Sequence, residues 1–184
     1  TPLRVVHAGA ALPNRRIEQM MRAVAATDGL TLDLYLTGEG TAYYRELQQL
    51  AFELGKTIAL RPKIPQDQLV RTLNRFDVGL HVLPPKPTNN LLALPNKFFD
   101  FVQARLAVVV GPTPDMARRV REFDLGVVAD DFTEAALVKA LKSLDQESVR
   151  EWKQNSDLAA KRFDVSRMLP LWRDRINQIG VGEG

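Results

Sequence analysis

Val78-Gly79-Leu80-His81-Val82 is followed, after a loop, by Pro95-Asn96-Lys97-Phe98-Phe99-Asp100-Phe101-Val102-Gln103-Ala104 and then by Leu106-Ala107-Val108-Val109-Val110. The two outer stretches are short and apolar, so each reads as a buried strand. The middle stretch reads as a helix. Pro95 opens it at a position where a missing N–H costs little. Phe98, Phe99, Phe101 and Val102 cover most of its circumference. A strand, a helix and a strand in that order imply two parallel strands joined by a right-handed crossover.

The same alternation extends in both directions. Strands are predicted over 3–7, 32–36, 57–60 and 126–129, and helices over 14–26, 43–54, 66–74, 114–121 and 132–144. Two further helices are predicted at the C-terminal end, over 148–162 and 166–179. Gly55 reads as a helix C-cap, and Asp130-Asp131 as the cap of the helix that follows. A Pro- and Asn-rich loop is predicted over 83–94. The expected fold is α/β: a Rossmann-like three-layer sandwich. Its mostly parallel six-stranded sheet has helices on both faces and extra helices at the C-terminal end. The expected strand order is 3-2-1-4-5-6. In such a sheet, ligands bind beyond the carboxyl ends of the strands where the order reverses. That places a site between the loop after strand 1 and the loop after strand 4.

Composition narrows what could bind. The chain has 184 residues, 45% hydrophobic and 26% charged, with a net charge of +3. That suits one soluble domain, residues 1–184. There are no cysteines, so disulfides and thiolate metal sites are excluded and a cytoplasmic location is the simpler reading. The densest basic cluster, Arg118, Arg119 and Arg121, is short and not interleaved with aromatics. A local anion site is therefore expected, with no nucleic acid as partner. No apolar run approaches the roughly 18 residues of a membrane span. Thr1-Pro2 leads at once into a core-like strand, so a fragment cut at a domain boundary is expected.

Two predicted helices begin near the proposed site, and helix N-termini attract anions. The first follows Gly9-Ala10-Ala11 and carries Arg15 and Arg16 in its predicted first turn. Those cations either meet something negative or pair with Glu18. The second carries Lys97 and Asp100, three residues apart and so on one face. They either line a cleft or form a simple surface pair. In the cleft reading, Lys97 meets a phosphate and Asp100 accepts from a ribose hydroxyl. The Gly-x-Gly-x-x-Gly dinucleotide fingerprint and the Walker motif are absent. His7 and His81 lie in apolar strands and read as structural, and no His/Cys metal spacing occurs.

The chain resembles the C-terminal domain of GT-B-fold glycosyltransferases, specifically the large retaining family four. The most specific match is Leu94-Pro95-Asn96-Lys97-Phe98-Phe99-Asp100-Phe101, followed by Ala104-Arg105-Leu106-Ala107-Val108-Val109. Supporting matches, in order, are residues 9–17, Leu36-Thr37-Gly38-Glu39-Gly40, Phe76-Asp77-Val78-Gly79-Leu80, Gly111-Pro112-Thr113-Pro114-Asp115 and Leu125-Gly126-Val127-Val128. The resemblance implies the donor-binding half of a two-domain enzyme, with the acceptor on an N-terminal domain absent here. It implies a nucleotide-diphospho-sugar such as a UDP- or GDP-sugar as substrate, and polysaccharide biosynthesis as a setting. No cofactor or metal is expected, and membrane contact would come through the missing half at most. Gly9, Arg15, Asn96, Lys97 and Asp100 are the implied donor-binding residues; no catalytic residue is assigned. Two positions depart from the family pattern. The earlier of its two acidic residues falls on Leu92, and the arginine of its basic pair falls on Ala10 or Ala11.

Overall fold

The computed structural model describes residues 1–82, 84 and 96–162. Six strands form one sheet: β1 Leu3–Ala10, β2 Leu30–Thr37, β3 Ile58–Arg61, β4 Val78–His81, β5 Ala107–Val110 and β6 Gly126–Val128. Every pairing is parallel, and the order is β3-β2-β1-β4-β5-β6. The expected order is thus the observed one. The helices are α1 Ile17–Ala25, α2 Ala42–Leu54, α3 Leu69–Leu73, α4 Asn96–Gln103, α5 Pro114–Glu122, α6 Glu134–Lys142 and α7 Gln146–Arg162. The predicted helix over 166–179, the loop over 83–94 apart from residue 84 (Leu92 and Leu94 within it), and Pro95 lie outside the described residues. Among the described residues no helix is long and apolar enough to cross a membrane.

Alternation along the strands sorts side chains to two faces. Val5, Leu32, Leu34, Val78 and Leu80 pack with Met20, Met21, Leu47 and Leu137 of α1, α2 and α6. Val6, Ala8, Val108 and Val110 pack with Leu73, Phe98, Phe101 and Met116 of α3, α4 and α5. This is the three-layer arrangement the apolar strands imply. Gly79 sets how closely α4 approaches. A Cβ there would lie 2.5 Å from the Phe101 ring, so only a glycine in β4 lets the ring sit flush on the sheet.

Some boundaries differ from expectation, each for a local reason. β1 runs three residues beyond the predicted end because Ala8, Gly9 and Ala10 pair with Tyr35, Leu36 and Thr37 of β2. The cap of α6 is Thr133, whose hydroxyl accepts from the Ala136 N–H. Asp131 instead accepts from the Thr133 N–H and hydroxyl, and Asp130 pairs with Lys139. Gly55 does cap α2, at φ 84°.

Candidate anion-binding crevice

β1 pairs with β2 from Leu3 to Ala10, but with β4 only through Val5–Val78 and Val6–Gly79. Beyond those pairs β1 and β4 are not bonded strand to strand, and the strand order reverses here. His7 spans the gap: its Nδ1 donates to the Leu80 carbonyl at 2.8 Å. The His7 and His81 rings stack with centroids 6.0 Å apart. Burial pulls the His7 pKa down to about 4; the Leu80 bond opposes this, and the charges of Arg15 and Lys97 add to it. Burial, and then the neighbouring His7, Arg15 and Lys97, pull His81 down to about 3. Both rings are therefore neutral at pH 7, as befits structural histidines. His7 Nε2 and both His81 nitrogens have no hydrogen-bond partner among the described residues.

Above this floor lies a cavity of about 280 Å³, walled by the end of β1 (Ala8, Gly9, Ala10), by Arg15, and by Lys63 and Lys97. Tyr35, Thr37 and Gln66 also face it. Gly9 is not among the glycines with a left-handed φ, so its use lies in close approach. A Cβ on it would stand 3.3 Å from His7 Nε2 and 3.7 Å from an Arg15 guanidinium nitrogen. Glycine inside a strand often marks such a place.

Arg15 reaches the cavity, but not from a first helical turn as the sequence suggests. Proline at 13 starts a separate 3₁₀ turn, Pro13–Arg15, and α1 begins only at Ile17. Arg16 sits between them in the left-handed region, exposed and away from the cavity. Neither arginine pairs with Glu18, which is taken by the Tyr43 hydroxyl. Arg15 has no carboxylate partner among the described residues.

Lys97 is the second residue of α4. Its Nζ is 3.4 Å from Asp100 Oδ2, with side-chain exposures of 26% and 19%. The pair expected of a plain surface does form, yet it is mostly buried and its lysine opens on the cavity. Asp100 stands one turn behind Lys97. Asn96 is exposed at the start of α4 and is not among the cavity's neighbours. Lys63 was missed by the sequence reading. Its one signal is position: it follows β3, whose carboxyl end faces the same edge of the sheet as that of β1.

Larger clefts lie elsewhere, and two of them are more than twice its size. One of about 590 Å³ lies along α7, lined by Leu3, Asp77, Arg105, Lys153 and Asp157 among others. It mixes cations with carboxylates, and Lys153 pairs with Asp77 and Arg105 with Asp157. The other, about 710 Å³, runs between α1 and α2 and mixes Glu18, Glu46 and Glu53 with Arg22 and Arg45. Size favours the larger clefts, but the smaller crevice gathers charge of one sign, with Arg15, Lys63 and Lys97 around it and no carboxylate among its described lining residues.

No protein-family model matches this sequence, and no curated protein does. Solved structures do. HepE from Anabaena in complex with UDP superposes with a TM-score of 0.79 at 16% identity, over 96% of this chain and 49% of that one. The pneumococcal O-GlcNAc transferase GtfA, in complex with UDP and GlcNAc, gives 0.72 at 16%, over 98% and 36%. The C-terminal domain of a glycosyl transferase group 1 family protein, LpcC from Francisella tularensis, gives 0.66 at 14%, over 84% and 82%. The chain thus spans half or less of the longer enzymes and most of the isolated domain. At such identities the likeness is one of fold: the chain folds as the C-terminal domain of a GT-B glycosyltransferase does.

Proposed function

We propose that this chain is the donor-binding half of a retaining glycosyltransferase, and that the crevice holds the diphosphate of a nucleotide-diphospho-sugar. The observation that carries this reading is the gathering of Arg15, Lys63 and Lys97 around the open edge of Gly9 at the point where the strand order reverses. Cleavage of the sugar–phosphate bond sends its electron pair to a phosphate oxygen. Cations already in place stabilise that developing charge without reorganising. Asp100, beside Lys97, accepts from a ribose hydroxyl in this reading, and Asn96 adds a polar group at the same helix start. No metal is needed to neutralise the leaving diphosphate. The acceptor, and with it the setting in polysaccharide assembly, belongs to an N-terminal domain that faces the crevice. Membrane contact, if the enzyme is peripheral to a membrane, belongs to that domain as well.

Calorimetric titration with UDP, GDP and ADP tests the reading. A nucleoside diphosphate should bind with much higher affinity than its nucleoside; equal, negligible binding of all three diphosphates would sink it. The chain alone should transfer no sugar, because bringing two substrates together supplies much of such catalysis. Transfer by the purified chain would show that the acceptor site lies within it. Leu92, at the family's first acidic position, favours one second reading: a non-catalytic nucleotide-binding or interaction module on the same fold. That module would bind the diphosphate, and its parent would not turn it over. An epimerase-like enzyme would need a carboxylate or an accessible histidine in the crevice, and the described lining offers neither.

A further inference from the structure

The segment that carries Arg15 is tied down by a helix that contributes nothing to the crevice wall. Arg16 caps α1 from the left-handed region, at φ 47° and ψ 47°, and its side chain makes no capping bond. The Ile17 N–H that such a cap leaves open donates to the Tyr43 hydroxyl of α2, at 2.9 Å. Tyr43 in turn donates to Glu18 Oε2 at 2.5 Å. One hydroxyl thus accepts from the first residue of α1 and donates to the second. Burial, and then the bond to Glu18, hold the phenol well above its usual range, so it stays protonated as a donor. At the other end of the segment, the Ala11 N–H donates to the Thr37 carbonyl at 2.8 Å. The 3₁₀ turn between contains no buried residue. With no packing to fix it, the turn is placed by its two ends, and Arg15 is its last residue.

We propose that Tyr43 is a positioning residue for the crevice: its hydroxyl, through the Ile17 N–H and Glu18, sets the Arg15 guanidinium over Gly9 and so sets affinity for a diphosphate. The proposal rests on the crevice being the diphosphate site. Tyr43 touches no ligand and acts through Arg15. The Tyr43 ring packs against the core on the α1–α2 face, so Tyr43→Phe removes the hydroxyl and keeps the packing.

The test compares Tyr43→Phe, Arg15→Met and the double variant, each titrated with UDP and with uridine. Tyr43→Phe should lower UDP affinity about fivefold, the worth of one ordinary hydrogen bond, and leave uridine affinity unchanged. The double variant should bind UDP as weakly as Arg15→Met alone, because the hydroxyl then has nothing left to position. Glu18→Gln, which keeps an acceptor for the hydroxyl, should retain most of the affinity. Three results overturn the proposal: unchanged UDP binding in Tyr43→Phe, an equal loss for uridine, or a full fivefold loss on top of Arg15→Met. If Tyr43→Phe fails to fold, Glu18→Ala carries the same comparison, and an Arg15-independent loss overturns it. A wild-type chain that binds none of UDP, GDP and ADP removes the site itself and this role with it. That result is distinct from a wild type that binds UDP beside a Tyr43→Phe that binds equally well.

Discussion

Two of the three described cations around the crevice are held by different means. Lys97 stands on α4, whose Phe98, Phe101 and Val102 are fully buried and whose distance from the sheet is set by Gly79 under the Phe101 ring. Arg15 stands on a short turn with no buried residue, held by hydrogen bonds at its ends. Packing fixes one cation and polar bonds fix the other. Core contacts make Lys97's place part of global stability, whereas Arg15's place can shift without the fold noticing.

The harshest way to break that contrast is Phe101→Ala. A fully buried phenylalanine truncated to alanine costs about 3–5 kcal/mol, and here it also loosens the helix that carries Lys97. Urea unfolding should show the loss, and UDP affinity should fall in parallel. Stability kept within about 1 kcal/mol would mean that α4 is not held by packing, contrary to its burial.

Next come the two cations themselves. Charge-assisted bonds to a phosphate contribute on the order of 1.5–3 kcal/mol each. Arg15→Met should therefore lower UDP affinity by at least tenfold, as a loss of about 1.4 kcal/mol would, and leave the ligand-free melt unchanged, since Arg15 has no carboxylate partner among the described residues. Lys97→Met should lose less affinity, because its ammonium is already shared with Asp100, and should cost a little stability. Thermal melts with and without UDP read both. Equal ligand-induced shifts in wild type and Arg15→Met would remove this crevice as the diphosphate site.

The histidines between the walls give a destabilising effect that is absent at pH 7 and appears only in acid. Unfolded histidines take up protons near pH 6.5, whereas His7 and His81 do so only near 4 and 3. Below pH 6.5 the unfolded chain binds more protons than the folded one, so acid destabilises. Their contribution is fully present above pH 6.5 and declines by roughly 1 kcal/mol per pH unit for each histidine on the way down to about 4. His81→Leu should remove its share of that slope at little cost at pH 7, because its ring nitrogens have no partner among the described residues. An unchanged slope in His81→Leu would show that His81 is not buried neutral.

The contrast also explains what could be read from the sequence. Apolar runs and a phenylalanine-rich helix mark packing, so the strand order and the burial of α4 are legible in the sequence. Gly9, Arg15 and Lys97 were legible as cavity neighbours, because chain position relative to the strands places them. The length of β1 was not, since its last three residues are strand only through partners on β2. Nor was the break at Arg16: a Pro13-Asn14-Arg15-Arg16 run reads as a helix start, whereas the Ile17 N–H at the true start of α1 meets a tyrosine on another helix. Lys63 was invisible for the same reason, standing alone in its loop with its meaning supplied by β3 ending beside β2.

Arg16→Gly is the finest test of the contrast. Arg16 occupies φ 47° and ψ 47°, a conformation that costs a residue with a Cβ roughly 1–2 kcal/mol. Glycine adopts it freely but loses about 0.5–1 kcal/mol more conformational freedom on folding. The two effects oppose, and strain is the larger, so Arg16→Gly should raise stability by up to about 1 kcal/mol. The Arg16 side chain is exposed and does not line the cavity, so its loss should leave UDP affinity within experimental scatter. Stability and binding thus move apart here, where in Phe101→Ala they fall together. Denaturant unfolding and a UDP titration on this one variant decide. A drop in UDP affinity comparable to that of Arg15→Met would mean that both arginines hold the anion, and that the turn is not the discriminating device its hydrogen bonds imply. A loss of stability would mean that the Arg16 side chain, not its backbone, anchors the start of α1, and would move the anchoring role away from Tyr43.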